Sequence, residues 1–97
     1  MPWIVNDAAA RATFVAGNHD QVVVAGMRRY YEWRRLINTN IHPSIAAAAV
    51  GNTHYERLSG QHAGLYTIRL TQADRVVFTV NGANLVVTVL RIGGHFP

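Results

Sequence analysis

The sequence contains no cysteine and no lysine among its 97 residues. Without cysteine, disulfide bonds and thiolate chemistry are excluded, and the redox compartment stays open. Without lysine, no amine side chain is available as a general base or to form a Schiff base. The nine basic residues are all arginines, which stay protonated and carry protons poorly. Any proton transfer must therefore use histidine, aspartate, glutamate or tyrosine.

Acidic residues and long apolar runs are also scarce. Five acids against nine arginines give a net charge of +4 and a pI near 10.4, which indicates an anionic partner such as nucleic acid or an acidic protein. No apolar run approaches the roughly 18 residues of a membrane span, and the N-terminus lacks a signal-peptide pattern. We therefore expect a cytoplasmic protein without a membrane partner, although a domain cut from a larger secreted protein would have the same composition.

The succession of patterns predicts one α+β domain over residues 1–97. A strand at Trp3-Ile4-Val5 is followed by a helix from Ala8 to Val15 and a second helix from Asp20, its N-cap, to Ile37. Ser44 is expected to cap a short helical turn through residues 46–50. Further strands are predicted at 53–58, 66–70, 75–80 and 85–92, the last being the most apolar and therefore central. We expect a small antiparallel sheet of about four strands with two N-terminal helices packed on one face.

The second helix is predicted from an apolar stripe at spacings of three and four residues. Gly26 inside it costs about 1 kcal/mol relative to alanine, and the valines at 22–24 are equally typical of a strand, so its first turn is open. A second face is basic and is equally consistent with solvation, RNA contact or binding of an inhibitory protein. The stripe consists of Val23, Met27, Tyr30, Trp33 and Ile37, and the basic face of Arg28, Arg29, Arg34 and Arg35.

A hairpin with one apolar face and one arginine-bearing face is predicted between residues 66 and 80. A three-residue loop at 71–73 would place Leu70 opposite Asp74 and Arg69 opposite Arg75, and it keeps apolar residues on one face. Two guanidinium groups opposite each other are destabilising unless an anion lies between them. That anion is either a bound phosphate or the carboxylate of Asp74, and the sequence leaves both open.

Four short motifs in this region, in a characteristic order and spacing, resemble those of the RelE/ParE toxin superfamily, and most closely its YoeB/Txe-like branch of mRNA interferases. They are Leu58-Ser59-Gly60, Gly64-Leu65-Tyr66-Thr67-Ile68-Arg69, Asp74-Arg75-Val76-Val77-Phe78 and the final His95-Phe96. The resemblance implies a RelE/ParE-like fold and a toxin that cleaves messenger RNA, on the ribosome, without a metal or other cofactor. It also implies a cognate antitoxin or immunity protein as partner.

By the same resemblance, Arg69 and Arg75 match the arginines that hold the phosphate, and His95 matches the histidine that protonates the leaving oxygen. Phe96 stands where the family has tyrosine, so a hydroxyl is lost while a ring remains to stack on a base. Arg57 and Arg91 are further candidates for substrate binding, each against the alternative of an ordinary surface charge. Histidines 19, 42, 54 and 62 lack metal-ligand spacing, and we predict no metal site.

The general base is not fixed by the resemblance, because counting back from Leu58 to the family's glutamate reaches Asn52. Glu56 and His54 lie nearby and either can accept a proton, or arginines take the role that lysines have in other branches. Two rival functions follow from these departures. One is a non-enzymatic ParE-like toxin that inhibits DNA gyrase by binding it, and the other is a toxin of this fold delivered between cells and neutralised by an immunity protein.

Overall fold

The structure, a computed structural model, describes residues 3–10, 22–51 and 53–93. It has the predicted α+β order, with five strands in place of about four. Helical residues 8–10 follow the first strand, which agrees with the predicted start at Ala8, and the remainder of that helix to Val15 lies outside the described residues. The elements are β1 (Ile4–Asn6), α1 (Val24–Asn38), α2 (Pro43–Val50), β2 (Glu56–Arg57), β3 (Tyr66–Arg69), β4 (Arg75–Asn81) and β5 (Val86–Ile92).

The five strands form one sheet in the order β1-β5-β4-β3-β2. Neighbours from β2 to β5 are antiparallel, whereas β1 is parallel to β5, with Ile4 opposite Val86. The sheet is therefore mixed, whereas a purely antiparallel sheet was predicted. Parallel neighbours need a long connection, and almost the whole chain lies between β1 and β5. The first strand lies at the sheet edge. The last strand, β5, is interior as predicted, although β4 is the middle strand.

The core lies between α1 and one face of the sheet. Tyr30, Trp33 and Ile37 of the predicted stripe are fully buried, and the ring centroids of Trp33 and Phe78 are 4.8 Å apart. Helix α2 adds Ala46 and Ala47 to the same cluster. Helix α1 therefore covers one face of the sheet as predicted, with α2 packed against it. The remainder of the other predicted N-terminal helix lies outside the described residues. Within the described ranges, none of the helices has the length and apolarity to cross a membrane.

The N-terminal ends of both helices differ from the predicted caps. Val23 is the N-cap of α1 and 61% exposed, so it does not join the buried stripe. Consecutive β-branched valines lose side-chain freedom in a helix, which favours a later start. The predicted cap, Asp20, lies outside the described residues. In α2 the cap is His42, whose Nδ1 accepts a hydrogen bond from the Ser44 backbone at 3.1 Å. Pro43 then occupies the first helical position, where its fixed φ suits a helix start.

A buried carboxylate fastens α1 to the end of β1. Asp7 accepts a hydrogen bond from Tyr30 Oη at 2.5 Å, and its Oδ2 lies 3.2 Å from Arg34 Nε. The Asp7 side chain is only 7% exposed. Because removing one partner of a buried ion pair leaves the other charge uncompensated, this contact contributes strongly to the position of α1.

Gly26 is the point at which α1 approaches the turn between β3 and β4. A Cβ atom at this position would lie 2.9 Å from Thr71 Cγ2 and 2.7 Å from Val22 Cγ1. Such distances are shorter than van der Waals contact, so only glycine fits without displacement of the neighbours. Glycine lowers the stability of the helix relative to alanine, but it allows α1 to pack closely against the hairpin turn.

Candidate active site

The β3–β4 hairpin places two arginines directly opposite each other. Its register pairs Ile68 with Val76 and Arg69 with Arg75. The Leu70 backbone donates to the Asp74 carbonyl at 2.9 Å, which closes the three-residue loop. Both the loop length and the arginine pairing were predicted from the alternation of apolar residues, and both are confirmed.

Asp74 belongs to the turn that closes this hairpin. Thr71 Oγ1 donates to Asp74 Oδ2 at 3.0 Å and accepts from the Asp74 backbone at the same distance. Asp74 is 7% exposed, so its carboxylate is enclosed by these contacts. The acid that lies beside Arg75 is Glu56, with 3.9 Å between Arg75 Nη1 and Glu56 Oε2. This separation is at the long end for an ion pair, and both groups are partly exposed, so it neutralises the arginine pair only in part.

Glu56 also contacts His54. The register of β2 places Glu56 opposite Thr67 and hence on the same sheet face as Arg69 and Arg75, which we call the arginine face. His54 Nε2 lies 3.5 Å from Glu56 Oε2. We refer to His54, Glu56, Arg69 and Arg75 together as the hairpin cluster. It combines two guanidinium groups, a type of group suited to phosphate binding, with two groups that can exchange protons.

His54 is held in an unusual backbone conformation. Its φ is +44°, in the left-handed region that residues other than glycine rarely adopt. On the N-terminal side, Thr53 Oγ1 donates to the Ala47 carbonyl at 2.6 Å, and the Arg69 backbone donates to the Thr53 carbonyl. These contacts fix the position of Thr53, directly before His54, against α2 and β3. The predicted strand over 53–58 is therefore reduced to Glu56–Arg57, and the kink directs an exposed imidazole towards Glu56.

A β-bulge decides the position of Arg91. Val87 and Val89 are buried on the core side of β5, and simple alternation would place Arg91 there too. The register shifts between Val77 and Phe78, so that Arg91 pairs with Val77, on the arginine face. Arg91 is exposed and its Nε donates to the Gly93 carbonyl at 3.1 Å. The structure thus brings Arg91 to the same face as the hairpin cluster.

Arg57 lies on the other face of the sheet. It pairs with Tyr66, whose ring stacks on Phe78 in the core layer with centroids 5.9 Å apart. Its side chain is exposed because β2 is the edge strand. The structure therefore separates Arg57 from the hairpin cluster. A strand of two residues is too short to show an alternation of apolar and polar residues, so the sequence does not predict which face of the sheet Arg57 occupies.

The predicted C-terminal site residues, His95 and Phe96, lie outside the described residues, as does Asn52. The described chain ends at Gly93, whose backbone donates to the Arg75 carbonyl at 2.8 Å. The C-terminal segment thus departs from a residue that is hydrogen-bonded to the hairpin cluster.

An open cavity of about 700 Å³ adjoins the cluster between α1 and the β3–β4 turn. His54 and Arg69 line it from the sheet side, and Arg29 lines it from α1. Arg29 Nη1 donates to the Leu70 carbonyl at 3.2 Å, which fixes the guanidinium at the cavity wall. Sequence reasoning placed Arg29 only in a basic helical face. The available signal was Gly26, one turn earlier on the same side of the helix, where glycine marks a close approach.

Tyrosine chemistry is disfavoured beside this cluster. Burial, and secondarily the neighbouring Tyr66, raises the pKa of Tyr55 to about 12. The Tyr55 ring packs against Tyr66 and Phe78, with centroids 5.6 and 5.9 Å away. It therefore stays protonated at neutral pH, and the remaining side chains of the cluster with a chemistry suited to proton exchange are His54 and Glu56. In the part of the chain that the structure describes, no three histidine or acidic side chains converge as a metal site.

The chain is similar along its whole length to solved toxin structures. Similarity to the YoeB/ParE toxin from Agrobacterium tumefaciens has a TM-score of 0.55 and 19% identity, covering 99% of this chain and 100% of that one. A chain in the crystal structure of the RelBE2 toxin–antitoxin complex from Mycobacterium tuberculosis aligns with a TM-score of 0.41 and 16% identity, covering 98% and 100%. No family model and no curated sequence matches the chain. The first similarity shows that the fold is RelE/ParE-like, as predicted.

Proposed function

We propose that this chain is a toxin that cleaves messenger RNA on the ribosome as a metal-independent endoribonuclease in the cytoplasm. The observation that carries the proposal is the opposed pair Arg69 and Arg75, with His54 and Glu56 beside them on one face of the sheet. A cationic pair with one partial counter-ion is an anion site, and a phosphate group fits two guanidiniums in bidentate contacts. The fold shared with a YoeB/ParE toxin is consistent with the toxin role.

In the proposed reaction, the ribose 2′-oxygen attacks the adjacent phosphorus and the bond from phosphorus to the 5′-oxygen breaks. The products are a 2′,3′-cyclic phosphate and a free 5′-hydroxyl. Arg69 and Arg75 bind the phosphate and neutralise the charge that develops in the transition state, which is the part of catalysis that fixed donors supply best. Because arginine does not release its proton at neutral pH, other groups must move the two protons.

His54 accepts the proton of the 2′-hydroxyl, and Glu56 holds the imidazole and stabilises its charged form. Histidine exchanges protons readily near pH 7. His95 then protonates the departing 5′-oxygen. It stands two residues after Gly93, a span of at most about 7 Å, and Gly93 is hydrogen-bonded to Arg75. Phe96 stacks on a base.

Two arginines outside the cluster have different expected contacts with RNA. Arg91, on the arginine face, binds the RNA backbone. Arg57 would contact only a strand that passes the β2 edge, because it lies on the other face. An inhibitory protein, an antitoxin or immunity protein, is expected to be acidic and to cover the arginine face, since the net charge of the chain is +4.

The test compares wild type, His95→Ala, His54→Ala and Arg35→Ala in a translating extract, with RNA ends mapped by primer extension. New message ends are expected with wild type and with Arg35→Ala, whose guanidinium is paired with Glu32 on the helix surface. Each histidine variant is expected to slow cleavage by about 100-fold or more.

Intact message in cells that nevertheless stop growing would overturn the nuclease proposal. A gyrase supercoiling assay then tests the ParE-like alternative. Cleavage that is unchanged in both histidine variants would preserve the nuclease and refute the assignment of the proton-transfer groups.

A further inference from the structure

The cavity beside the hairpin cluster has an unbalanced charge. Arg29, Arg69 and His54 line it, and none of its described lining residues is acidic. Within the described part of the chain, neither Arg29 nor Arg69 is paired with a carboxylate, whereas Arg34 and Arg35 both are. Two guanidinium groups at one cavity wall repel each other, and an anion in the cavity removes that cost.

Arg69 has an unsatisfied donor at this site. Its Nε is buried and has no hydrogen-bond partner among the described residues. Burying a nitrogen of a charged group without a partner costs more than it does for a neutral group. The Arg69 side chain is otherwise partly exposed, so an anion at its accessible nitrogens offsets that cost. Arg29 is already positioned, since its Nη1 is held by the Leu70 carbonyl and its remaining donors are available.

The cavity is continuous with the proposed reaction site, because Arg69 both lines the cavity and pairs with Arg75. Its volume of about 700 Å³ lies within the range of about 300–1,000 Å³ that small-molecule sites occupy. We infer that this cavity binds a second phosphate group of the RNA, next to the phosphate held between Arg69 and Arg75. The inference rests on the proposed function and extends it: the substrate is recognised by two neighbouring phosphates, and Arg29 is a binding residue for the second.

An RNA phosphate fits these observations better than an acidic side chain of a partner protein. The shared Arg69 fixes the second anion close to the first, which a polynucleotide backbone satisfies automatically because its charges are evenly spaced. An inhibitory protein would need two acids at that spacing.

The test uses a trinucleotide whose first two riboses carry 2′-O-methyl groups, so that neither of its linkages can be cleaved. A matched probe replaces the second phosphate by an uncharged methylphosphonate, which leaves the bases unchanged. Wild type is expected to bind the doubly charged probe about tenfold more tightly, the scale of one charged hydrogen bond. Arg29→Ala is expected to lose this preference, and Arg28→Ala, one residue away and exposed, to keep it.

Arg29→Gln serves as a second variant, because it retains a neutral donor for the Leu70 carbonyl while losing the charge. It is expected to melt like wild type and to bind both probes equally. An absent preference in wild type, or an equal loss in the Arg28 and Arg29 variants, would overturn the second phosphate site. If a glutamate decapeptide binds with Arg29 dependence while the phosphate preference is absent, the cavity is a protein-binding site and the inference is wrong.

The failure of this inference is distinguishable from that of the proposed function. Message cleavage in the extract without a phosphate preference would leave the nuclease and remove the second site. A phosphate preference without cleavage would leave the site and remove the nuclease.

Discussion

Arg34 and Arg35 of helix α1 have electrostatic surroundings opposite to those of the two hairpin arginines. On the helix, Arg34 contacts the buried Asp7, and Arg35 makes two short contacts with Glu32, at 2.5 and 3.2 Å. On the hairpin, Arg69 and Arg75 face each other and the nearest acid reaches only Arg75, at 3.9 Å. The protein uses its few acids to hold the fold in one region and leaves an excess of positive charge in the other. The paired arginines hold the fold, and the incompletely paired ones are those that we propose to bind the RNA phosphates.

Removing a hairpin arginine is expected to have the largest effect on activity. Arg75→Ala should slow RNA cleavage by about 100-fold or more, because a preorganised donor to the transition state is lost. Its melting temperature should change little, since its ion pair is long and partly exposed. Initial rates of cleavage and thermal melts, measured beside Arg35→Ala, check both expectations. An equal loss of activity in the two variants would remove the distinction between the two groups of arginines.

Removing the buried acid is expected to have the largest effect on stability. Asp7→Ala removes the carboxylate that contacts Arg34 and that accepts the hydrogen bond of Tyr30 Oη. We expect a loss of about 3 kcal/mol in the free energy of unfolding, measured by urea denaturation. Glu32→Ala, which breaks an exposed pair on the same helix, is the matched control and should change stability far less. Similar losses in the two variants would contradict a special role for the buried contact.

Adding a methyl group at Gly26 tests whether the close approach of α1 to the β3–β4 turn contributes to stability. Gly26→Ala should lower stability by about 1 kcal/mol, because the clash with Thr71 exceeds the gain in helix propensity. Gly82→Ala is the matched control, since a Cβ there meets nothing within 4 Å. Thermal melts measure both changes. A more stable Gly26→Ala protein would show that the turn moves aside without cost.

The exposed helix pair is expected to give the smallest effect, and one that depends on pH. The hydrogen bond with Arg35 lowers the pKa of Glu32 below its ordinary value. The pair therefore adds stability above the unfolded pKa of glutamate and loses it as pH falls through the lower folded pKa. The difference in melting temperature between wild type and Glu32→Gln should be small at pH 7, disappear in acid and shrink in high salt. A difference that stays constant with pH would refute the pair as its cause.

Local patterns predicted the parts of this molecule that depend on neighbouring residues. Strict alternation gave the pairing of Arg69 with Arg75, and the spacing of Tyr30, Trp33 and Ile37 gave the buried side of α1. The bulge in β5 could not be predicted this way, because alternation alone assigns Arg91 to the core side. Pairing of β1 with β5 likewise has no local signal, since the two strands stand at opposite ends of the chain.

The candidate site likewise has features that local patterns predict and features that depend on how distant segments pack. The resemblance and the hairpin pattern predicted the arginine pair, and Glu56 was named as a candidate. The sequence left His54 and Glu56 as alternative bases, and it did not predict the kinked backbone of His54 or the contact between the two side chains. Arg29 lines the cavity and contacts Leu70, which lies 41 positions further along the sequence. That contact depends on how α1 packs against the turn. Such a residue can be found only once the packing is known.

The parallel pairing of β1 with β5 also has a consequence for how the chain is made. Residue 4 finds its partner at residue 86, so the loop that must close spans nearly the whole sequence. Contacts of this kind are slow to form and lose the most chain entropy on closure. During synthesis the first strand has to wait, unpaired, until the last strand has left the ribosome. The sheet is therefore completed only after residues 86–92 have emerged, and until then a nascent chain lacks the finished fold.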